Sequence, residues 1–280
     1  MIDVVVINMK RSAERRARIS KRLDALGVAF RIFEAVDGDN LSSVERDQIA
    51  PPSLWRSIAK RKAVAGEIGC ALSHLNAIQA HSDLEFFCVL EDDAVPSTGI
   101  LQFLDENTLR MLPKFDSLRL HSPPEVQIRK FPAWKVASVG DHSVCAMLVI
   151  GGSCSAQIYS RDGAQKIMSN ITTINAPIDE MLYMDPQIRG FRVLDIRPSV
   201  ANDLGERNST IGWRSNVVPP TLIDKASQLI VQWVRRARLI RHFIVTWVVS
   251  GEIFQCPLWH PNAAVPKAKH HPGHERLGPG

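Results

Sequence analysis

Three consecutive acidic residues, Glu91, Asp92 and Asp93, directly follow the most strand-like run of the sequence, Phe86–Leu90. In an open α/β sheet, the carboxyl ends of the strands line the ligand crevice. Three carboxylates at such a place do not all ionise cheaply unless a cation neutralises them. A hard divalent ion such as Mn²⁺ or Mg²⁺ binds one or two carboxylates together with substrate phosphates. The triplet therefore indicates a metal site, and a solvated turn or a helix N-terminus is the alternative.

A second group of candidate residues lies on a predicted helix that runs from Gly66 to His81. Glycines near the start of a helix let a ligand approach the backbone closely, and the free N–H groups there suit anions. Gly69, Ser73 and His74 are the candidates on this helix. The alternative is a helix that packs in the interior, with His74 simply hydrogen-bonded there.

Basic residues follow the first predicted strand, Val4–Ile7. Arg11, Arg15 and Arg16 stand where the chain enters the next helix, a position suited to contacts with a diphosphate. Exposed arginines in a first helical turn are the alternative.

Asp179 is the candidate general base. It follows Pro177 and Ile178 and stands among apolar residues, which could fix a carboxylate for proton transfer. The same pattern also fits a helix cap.

The elements that must position these residues alternate along the chain, which predicts an α/β fold. Residues 39–62 are polar and predict a long loop or short helices. Strands are predicted at Val4–Ile7, Ala29–Phe33, Phe86–Leu90, Ser117–Leu120, Val144–Ile150, Ser155–Tyr159 and Phe191–Ile196. Helices are predicted from a Ser12 cap to Gly27, and at Gly66–His81, Ile100–Leu112 and Asp162–Ser169.

Composition and charge exclude several classes of protein. With 45% hydrophobic and 22% charged residues, the chain is neither disordered throughout nor of low complexity. Residues 225–251 hold five basic residues and no acidic one, whereas residues 1–224 hold 26 basic and 27 acidic residues. Residues 252–280 add three basic and two acidic residues, which brings the net charge to +5. A nucleic-acid-binding fold spreads its basic residues over the main face, so we expect no nucleic-acid partner.

The cysteines and the apolar runs indicate a cytoplasmic protein. The five cysteines are odd in number and form no C-x-x-C pair, which predicts reduced thiols without a disulfide framework or a zinc site. No run reaches the ~18–20 apolar residues of a membrane-spanning helix, and the start of the sequence does not match a signal peptide.

Taken together, the motifs resemble those of glycosyltransferase family 25, the lipopolysaccharide-biosynthesis transferases that include bacterial β-galactosyltransferases. The resemblance covers residues 2–212. The segments that carry it are, in chain order, 4–16 (VVVINMKRSAERR), 33–38 (FEAVDG), 69–74 (GCALSH), 89–93 (VLEDD), 158–164 (IYSRDGA), 177–179 (PID) and 208–209 (NS).

The resemblance implies a GT-A-like nucleotide-diphosphosugar transferase fold with a single Rossmann-like domain. It also implies an inverting transfer of a hexose from UDP-galactose or UDP-glucose to a hydroxyl of a lipopolysaccharide- or lipooligosaccharide-type glycan. In this interpretation the metal is bound by Glu91, Asp92 and Asp93, and Asp179 is the base. The donor is surrounded by Asn8, Arg11, Arg15, Gly69, Ser73 and His74.

The sequence departs from the family pattern at 152–157 and 202–203, where sugar or acceptor contacts are expected. These departures keep open a second hypothesis, a non-catalytic, membrane-associated protein that binds a sugar nucleotide or a glycan.

Three regions are predicted: a catalytic domain over 1–215, a basic amphipathic helix within 216–250, and a disordered tail over 251–280. Between 225 and 249, helical spacing predicts one apolar face with Arg235, Arg238 and His242 opposite and Arg236 and Arg241 at the borders, as in a helix that lies in a membrane interface. The apolar face consists of Ala226, Leu229, Ile230, Trp233, Ala237, Ile240, Ile244 and Trp247. We therefore expect an anionic membrane surface as a partner and a peripheral location at the cytoplasmic face of the membrane. The alternative is that this face packs on the domain.

Overall fold

An eight-stranded mixed sheet forms the centre of the protein in a computed structural model that describes residues 1–59, 61–122, 133–148, 152–184, 188, 190–204 and 237–248. Its strands are β1 (Asp3–Asn8), β2 (Arg31–Glu34), β3 (Phe86–Glu91), β5 (Ser117–Arg119), β6 (Ala133–Val139), β7 (His142–Met147), β8 (Ala156–Ser160) and β9 (Val193–Arg197). A separate antiparallel pair joins β4 (Ala94–Pro96) to β10 (Ala201–Asp203). The predicted α/β fold is confirmed.

The helices lie between these strands in the chain. They are α1 (Ala13–Ala25), α2 (Ser43–Ile49), α3 (Pro52–Ala59), α4 (Ala65–Ala80), α5 (Ile100–Phe103), α6 (Glu106–Met111) and α7 (Arg161–Asn170), with a π-helical turn at Glu180–Met184.

The strand order in the sheet is β2-β1-β3-β8-β5-β9-β7-β6. β1 pairs in parallel with both β2 and β3, so these three strands end at the same edge of the sheet. β8 runs antiparallel between β3 and β5. The parallel part is the Rossmann-like half of the molecule, and the carboxyl ends of its strands carry the predicted site.

Alternating side chains divide the core into two layers, one on each face of the sheet. In β3, Cys88 and Leu90 pack in one layer, and Phe87 and Val89 pack in the other. Because both faces are covered, β1 and β3 are continuous apolar runs of the kind that strands buried on both faces require.

Helix α1 ends as predicted but begins differently. Gly27 adopts a φ of +67°, the left-handed conformation that favours glycine after a helix. Ser12 occupies the N-cap position, but its side chain makes no capping hydrogen bond, so the predicted Ser12 cap is wrong in that respect.

The short elements agree with the prediction at one place and differ at two. Residues 39–62 contain α2 and α3, which corresponds to the short helices of the prediction. The predicted helix Ile100–Leu112 is broken into α5 and α6, because the Asp105 carboxylate accepts the Thr108 N–H at 2.9 Å and starts a new helix. Strands β4, β6 and β10 were not predicted from the sequence.

The described part of the C-terminal helix, residues 237–248, packs on the sheet domain. Phe243 and Trp247 are buried, and the Phe243 ring lies 4.4 Å from the Trp134 ring between centroids. The His242 Nε2 hydrogen-bonds to the Phe191 carbonyl oxygen at 2.9 Å. These contacts correspond to the alternative in which the helix packs on the domain.

Within residues 237–248, the predicted apolar face is divided between the exposed side and the packed side of the helix. Trp247 is buried, whereas Ile240 and Ile244 are exposed, and His242 lies on the packed side. Apolar residues occupy more than half of the helix circumference here, so periodicity alone does not select the face that packs.

No helix in the described ranges has the length and hydrophobicity needed to cross a bilayer. The predicted tail 251–280 and the rest of the basic helix lie outside the described residues.

Candidate functional site

The acidic triplet lies at the carboxyl end of the parallel strands, as predicted. Glu91 is the last residue of β3, and Asp92 and Asp93 form the turn between β3 and β4. In the β1–β3 ladder, Ile7 is the partner of Glu91, so Asn8 and the segment that carries Arg11 and Arg15 emerge beside the triplet. Parallel pairing of two strands that are far apart in sequence thus creates the site.

Arg15 and Asn8 hold the two aspartates. Arg15 Nε lies 3.1 Å from Asp92 Oδ1, and Arg15 Nη2 donates a hydrogen bond to Asp93 Oδ2. Asn8 Nδ2 donates to Asp92 Oδ2 at 2.7 Å. Asn8 is buried, so its role in the structure is to fix Asp92. Burial nevertheless raises the pKa of Asp92 above its ordinary value.

Asp93 is the carboxyl group in the triplet that is hardest to ionise. Burial, followed by the negative charge of Glu91, raises its pKa to about 7. Its Oδ1 atom is buried and has no hydrogen-bond partner among the described residues. An incompletely satisfied acidic oxygen of this kind indicates that a further positive group belongs here.

The pKa of Glu91 shifts in the opposite direction, below its ordinary value. Burial disfavours its charged form, but the hydrogen bond and charge of His74 and the charge of Arg15 outweigh burial and lower its pKa. The two groups are in direct contact, since His74 Nε2 lies 3.0 Å from Glu91 Oε1. His74 is fully buried, so it orients Glu91 from below the cleft.

Gly69 and Ser73 shape the wall opposite the triplet. A Cβ on Gly69 would lie 2.5 Å from the Val36 carbonyl oxygen and 2.7 Å from the Gly38 nitrogen. Ser73 Oγ accepts the Val36 N–H at 2.8 Å and donates to the Gly69 carbonyl oxygen at 2.6 Å. Because Gly69 has no side chain, the chain's own 36–38 turn can pack closely against α4 at this position.

These elements enclose one cleft. Arg11 lies at its mouth, half exposed, and forms an ion pair with Asp37. Its wall is formed by Ile7, Met9, Arg11, Arg15, Ala35, Val36, Asp37, Gly38, Gly66, Cys70, Ser73, His74, Glu91, Asp92 and Asp93. The structure thus brings together the predicted metal and donor residues except Asn8, which contacts Asp92, and Gly69, which packs against the 36–38 turn.

Asp179 does not line this cleft. It stands in the first helical turn after Pro177, where its Oδ1 accepts the Glu180 N–H at 3.0 Å and its Oδ2 accepts the Ser153 N–H at 3.1 Å. Its charge helps to raise the pKa of the Cys70 thiol, after burial and Glu91. Asp179 is therefore near the Cys70 side of the cleft.

Arg119 is a residue that sequence reasoning missed. It is buried at the end of β5, and its Nη2 donates to the Gly152 carbonyl oxygen at 2.8 Å. The guanidinium carbon also lies 4.9 Å from the centre of the Tyr183 ring. Arg119 therefore anchors the loop whose Ser153 N–H holds Asp179. An arginine in a three-residue strand gives no sequence signal for this role.

His121 was also missed, and its partner Asp203 was singled out only as part of the 202–203 departure from the family pattern. His121 Nε2 lies 3.2 Å from Asp203 Oδ2, and β10 places Asp203 opposite Ala94, directly after Asp93. The charge of His121 contributes to lowering the pKa of Glu91, and that of Asp203 contributes to raising the pKa of Asp93. This pair depends on the β4–β10 ladder.

The donor set of the cleft fits a hard divalent cation. Glu91 and Asp93 supply carboxylate oxygens, and Asp93 retains a buried oxygen without a partner in the described structure. Asp92 is already held by Asn8 and Arg15. Oxygen ligands of this type suit Mg²⁺ or Mn²⁺. Of the predicted ligands, Glu91 and Asp93 are thus the two best placed.

Comparison with protein families gives one matching model. Residues 1–182 match glycosyltransferase family 25, described as LPS biosynthesis protein. The match covers about two thirds of the chain and includes every predicted site residue, from Asn8 to Asp179.

The sequence relatives match over a shorter stretch. A glycosyltransferase 25 family member from Drosophila melanogaster is 35% identical over 95 residues, which is 32% of this chain and 16% of the relative. Procollagen galactosyltransferase 2 from Homo sapiens is 33% identical over 96 residues, which is 32% of this chain and 15% of the relative. The match thus spans about one sixth of the length of these relatives.

Two solved glycosyltransferases are similar in structure. One is a Drosophila β1,4-galactosyltransferase 7 variant in complex with manganese, UDP-Gal and xylobiose, with a TM-score of 0.34 and 12% identity over 73% of this chain and 71% of that chain. The other is galactosyltransferase LgtC with donor and acceptor sugar analogues, with a TM-score of 0.34 and 11% identity over 69% of this chain and 73% of that chain.

Proposed function

Because the chain belongs to glycosyltransferase family 25, and so carries the GT-A-like α/β fold predicted from its motifs, we propose that it transfers a hexose from a UDP-sugar to a hydroxyl group of a glycan. The observation that carries this proposal is the cleft at the carboxyl end of β1 and β3. There, a carboxylate pair, two arginines and the first turns of α4 surround one space.

The basic residues of the cleft would bind the donor diphosphate. Arg11 is half exposed at the mouth, where a ligand can replace Asp37 as its partner. Arg15 lies deeper and contacts Asp92 and Asp93. Arginine presents a planar set of donors that matches phosphate oxygens, so both side chains suit a diphosphate.

Glu91 and Asp93 would hold Mn²⁺ or Mg²⁺. When bound, such an ion supplies positive charge that stabilises the departing diphosphate. The residues of the chain prepare this position: His74 fixes the carboxylate of Glu91, and Asn8 and Arg15 fix Asp92 beside it.

Asp179 is the proposed base. As the acceptor oxygen forms a bond to the anomeric carbon, the bond from that carbon to the diphosphate oxygen breaks on the opposite face, which inverts the configuration. The acceptor proton goes to Asp179, and UDP carries away the bonding electron pair. Two backbone N–H groups orient the Asp179 carboxylate, and Arg119 supports one of them through the 152–153 loop.

The relatives guide the choice of donor and acceptor. Their names include procollagen galactosyltransferases, and the family is described by lipopolysaccharide biosynthesis. UDP-galactose is therefore the first donor to test and UDP-glucose the second. A lipopolysaccharide- or lipooligosaccharide-type glycan is the proposed acceptor.

We also propose that the C-terminal helix brings the enzyme to the cytoplasmic face of a membrane, where a lipid-linked acceptor would be present. Ile240, Ile244 and Val245 are 47%, 44% and 47% exposed beside Arg238 and Arg241. Apolar side chains next to arginines suit an anionic membrane surface. Ile240 and Ile244 belong to the apolar face predicted from the sequence, whereas Trp247 of that face is buried.

The test is a UDP-release assay with UDP-galactose and UDP-glucose, each with Mn²⁺, with Mg²⁺ and with EDTA. We expect turnover with one of the donors and its loss in EDTA. Asp93→Ala should abolish turnover and weaken donor binding only when the metal is present. If wild-type turnover persists in EDTA, or Asp93→Ala retains in EDTA the turnover that the wild type shows with metal, the metal assignment is wrong.

A further inference from the structure

A thiol, an imidazole and a carboxyl group meet at the inner end of the cleft. Cys70 and His74 lie one turn apart on α4, and Glu91 faces them from the end of β3. The Cys70 sulfur, an imidazole nitrogen of His74 and a carboxylate oxygen of Glu91 all lie within 4.8 Å of one another. Two elements that are neighbours in space but separate in sequence thus supply three different donor atoms.

The chemistry of this set differs from that of the acidic pair. Cysteine sulfur, histidine nitrogen and carboxylate oxygen are together the ligands of Zn²⁺, with bonds of about 2.0–2.3 Å. Mg²⁺ prefers oxygen ligands alone, and thiolates select softer ions. Atoms within 4.8 Å of one another need only a small contraction to reach a common tetrahedral ion.

The surroundings of Cys70 favour a cation. Cys70 lines the same cleft as Glu91, Asp92 and Asp93, so three carboxyl groups share this space with its thiol. A cation bound there would offset the repulsion between neighbouring carboxylates.

The hydrogen bonding of the His74 ring also supports a metal site here. The residue is fully buried, its Nε2 contacts Glu91, and its Nδ1 is buried without a hydrogen-bond partner among the described residues. A buried polar nitrogen left in this way is unusual in a folded protein and marks a place where a further group can bind.

We propose that Cys70, His74 and Glu91 form a second metal site, which binds a borderline transition metal such as Zn²⁺ with its fourth position open to the cleft. The proposal does not depend on hexose transfer, because it concerns metal binding by the protein without a donor. It differs from the expectation, drawn from the cysteine spacing, that the chain has no zinc site. Since Glu91 belongs to both sites, bound Zn²⁺ should also weaken Mn²⁺ binding at Glu91 and Asp93.

Cobalt substitution of the full-length protein tests the proposal. Co²⁺ in a tetrahedral site gives intense visible bands, and a thiolate ligand adds a sulfur-to-cobalt charge-transfer band in the near ultraviolet. We expect that band in the wild-type protein and its displacement by Zn²⁺. Cys70→Ser should remove the band and lower the affinity for Co²⁺ at least about tenfold.

Two control variants separate this thiol from Cys145 and Cys256. Cys145 is buried on β7 outside the cluster, and Cys256 stands in the C-terminal part of the sequence with His270, His271 and His274, which can also bind zinc. Cys145→Ser and Cys256→Ser should both retain the band. A band that survives Cys70→Ser but disappears in Cys256→Ser would overturn the proposal.

A measurement on the wild-type protein tests the proposal even if Cys70→Ser does not fold. X-ray absorption at the zinc edge of wild-type protein with one equivalent of Zn²⁺ should show one sulfur with nitrogen and oxygen neighbours. A first shell without sulfur would refute the site, whatever the variants do.

Discussion

The raised pKa of Asp93 makes metal binding depend on pH in a defined direction. Burial and the charge of Glu91 raise this pKa from 3.8 to about 7. The difference corresponds to roughly 4 kcal/mol against ionisation without a cation. Because a divalent ion binds the carboxylate and not the acid, a proton and the metal compete for Asp93 below pH 7.

The sign and size of the effect follow from this competition. We expect Mn²⁺ affinity to rise with pH up to about 7 and then to level off. At one pH unit below the pKa, about nine tenths of Asp93 is protonated, so affinity should be about tenfold below the plateau. In the acidic range, binding one Mn²⁺ should release about one proton.

The assay is a Mn²⁺ titration followed by electron paramagnetic resonance between pH 5.5 and 8, with circular dichroism as a check of the fold. Asp93→Asn should bind more weakly at every pH and lose the slope. Asp203→Asn should move the midpoint to lower pH, because the Asp203 charge contributes to raising the pKa of Asp93. Wild-type affinity that stays flat from pH 5.5 to 7 would refute the reasoning.

Two further predictions concern the wall of the cleft and the C-terminal helix. Gly69→Ala should destabilise the protein by about 1–3 kcal/mol in urea unfolding, because its Cβ would clash with the backbone of the 36–38 turn; Gly190→Asn, at a left-handed position with open space, should change stability little. Ile240→Ser with Ile244→Ser should reduce sedimentation with anionic vesicles, whereas Val44→Ser, an exposed apolar residue on α2, should not. Equal vesicle binding by all three proteins would contradict the membrane proposal.

The strands that carry the site could be predicted because their own residue types identify them as buried strands. Val4–Ile7 and Phe86–Leu90 are apolar runs buried on both faces, and the polar residues that follow them come at the carboxyl ends of parallel strands. The position of Glu91 beside the segment after β1 is therefore within reach of sequence reasoning. The same reasoning does not reach β4 and β10, which are three residues each and form through a pairing about 100 residues apart.

The partners of the site residues could not be predicted. The sequence predicts that Arg15 lies near the diphosphate. The contacts of Arg15 with Asp92 and Asp93, however, depend on the angle between α1 and the β3–β4 turn. Similarly, Gly69 was assigned to a ligand, whereas its open side is filled by the 36–38 turn. Such long-range contacts depend on the conformation of loops, which local propensity does not encode.

The central claim is that this protein performs inverting hexose transfer with Asp179 as the base. The most direct test compares wild type and Asp179→Asn in kcat for transfer from UDP-galactose or UDP-glucose and, by calorimetry, in donor Kd. The amide keeps the shape of the side chain but does not accept the proton, so kcat should fall by ~10²–10⁴-fold with donor Kd nearly unchanged. Wild-type protein that binds the donor but turns over neither sugar, or a variant that retains its kcat, would contradict the claim.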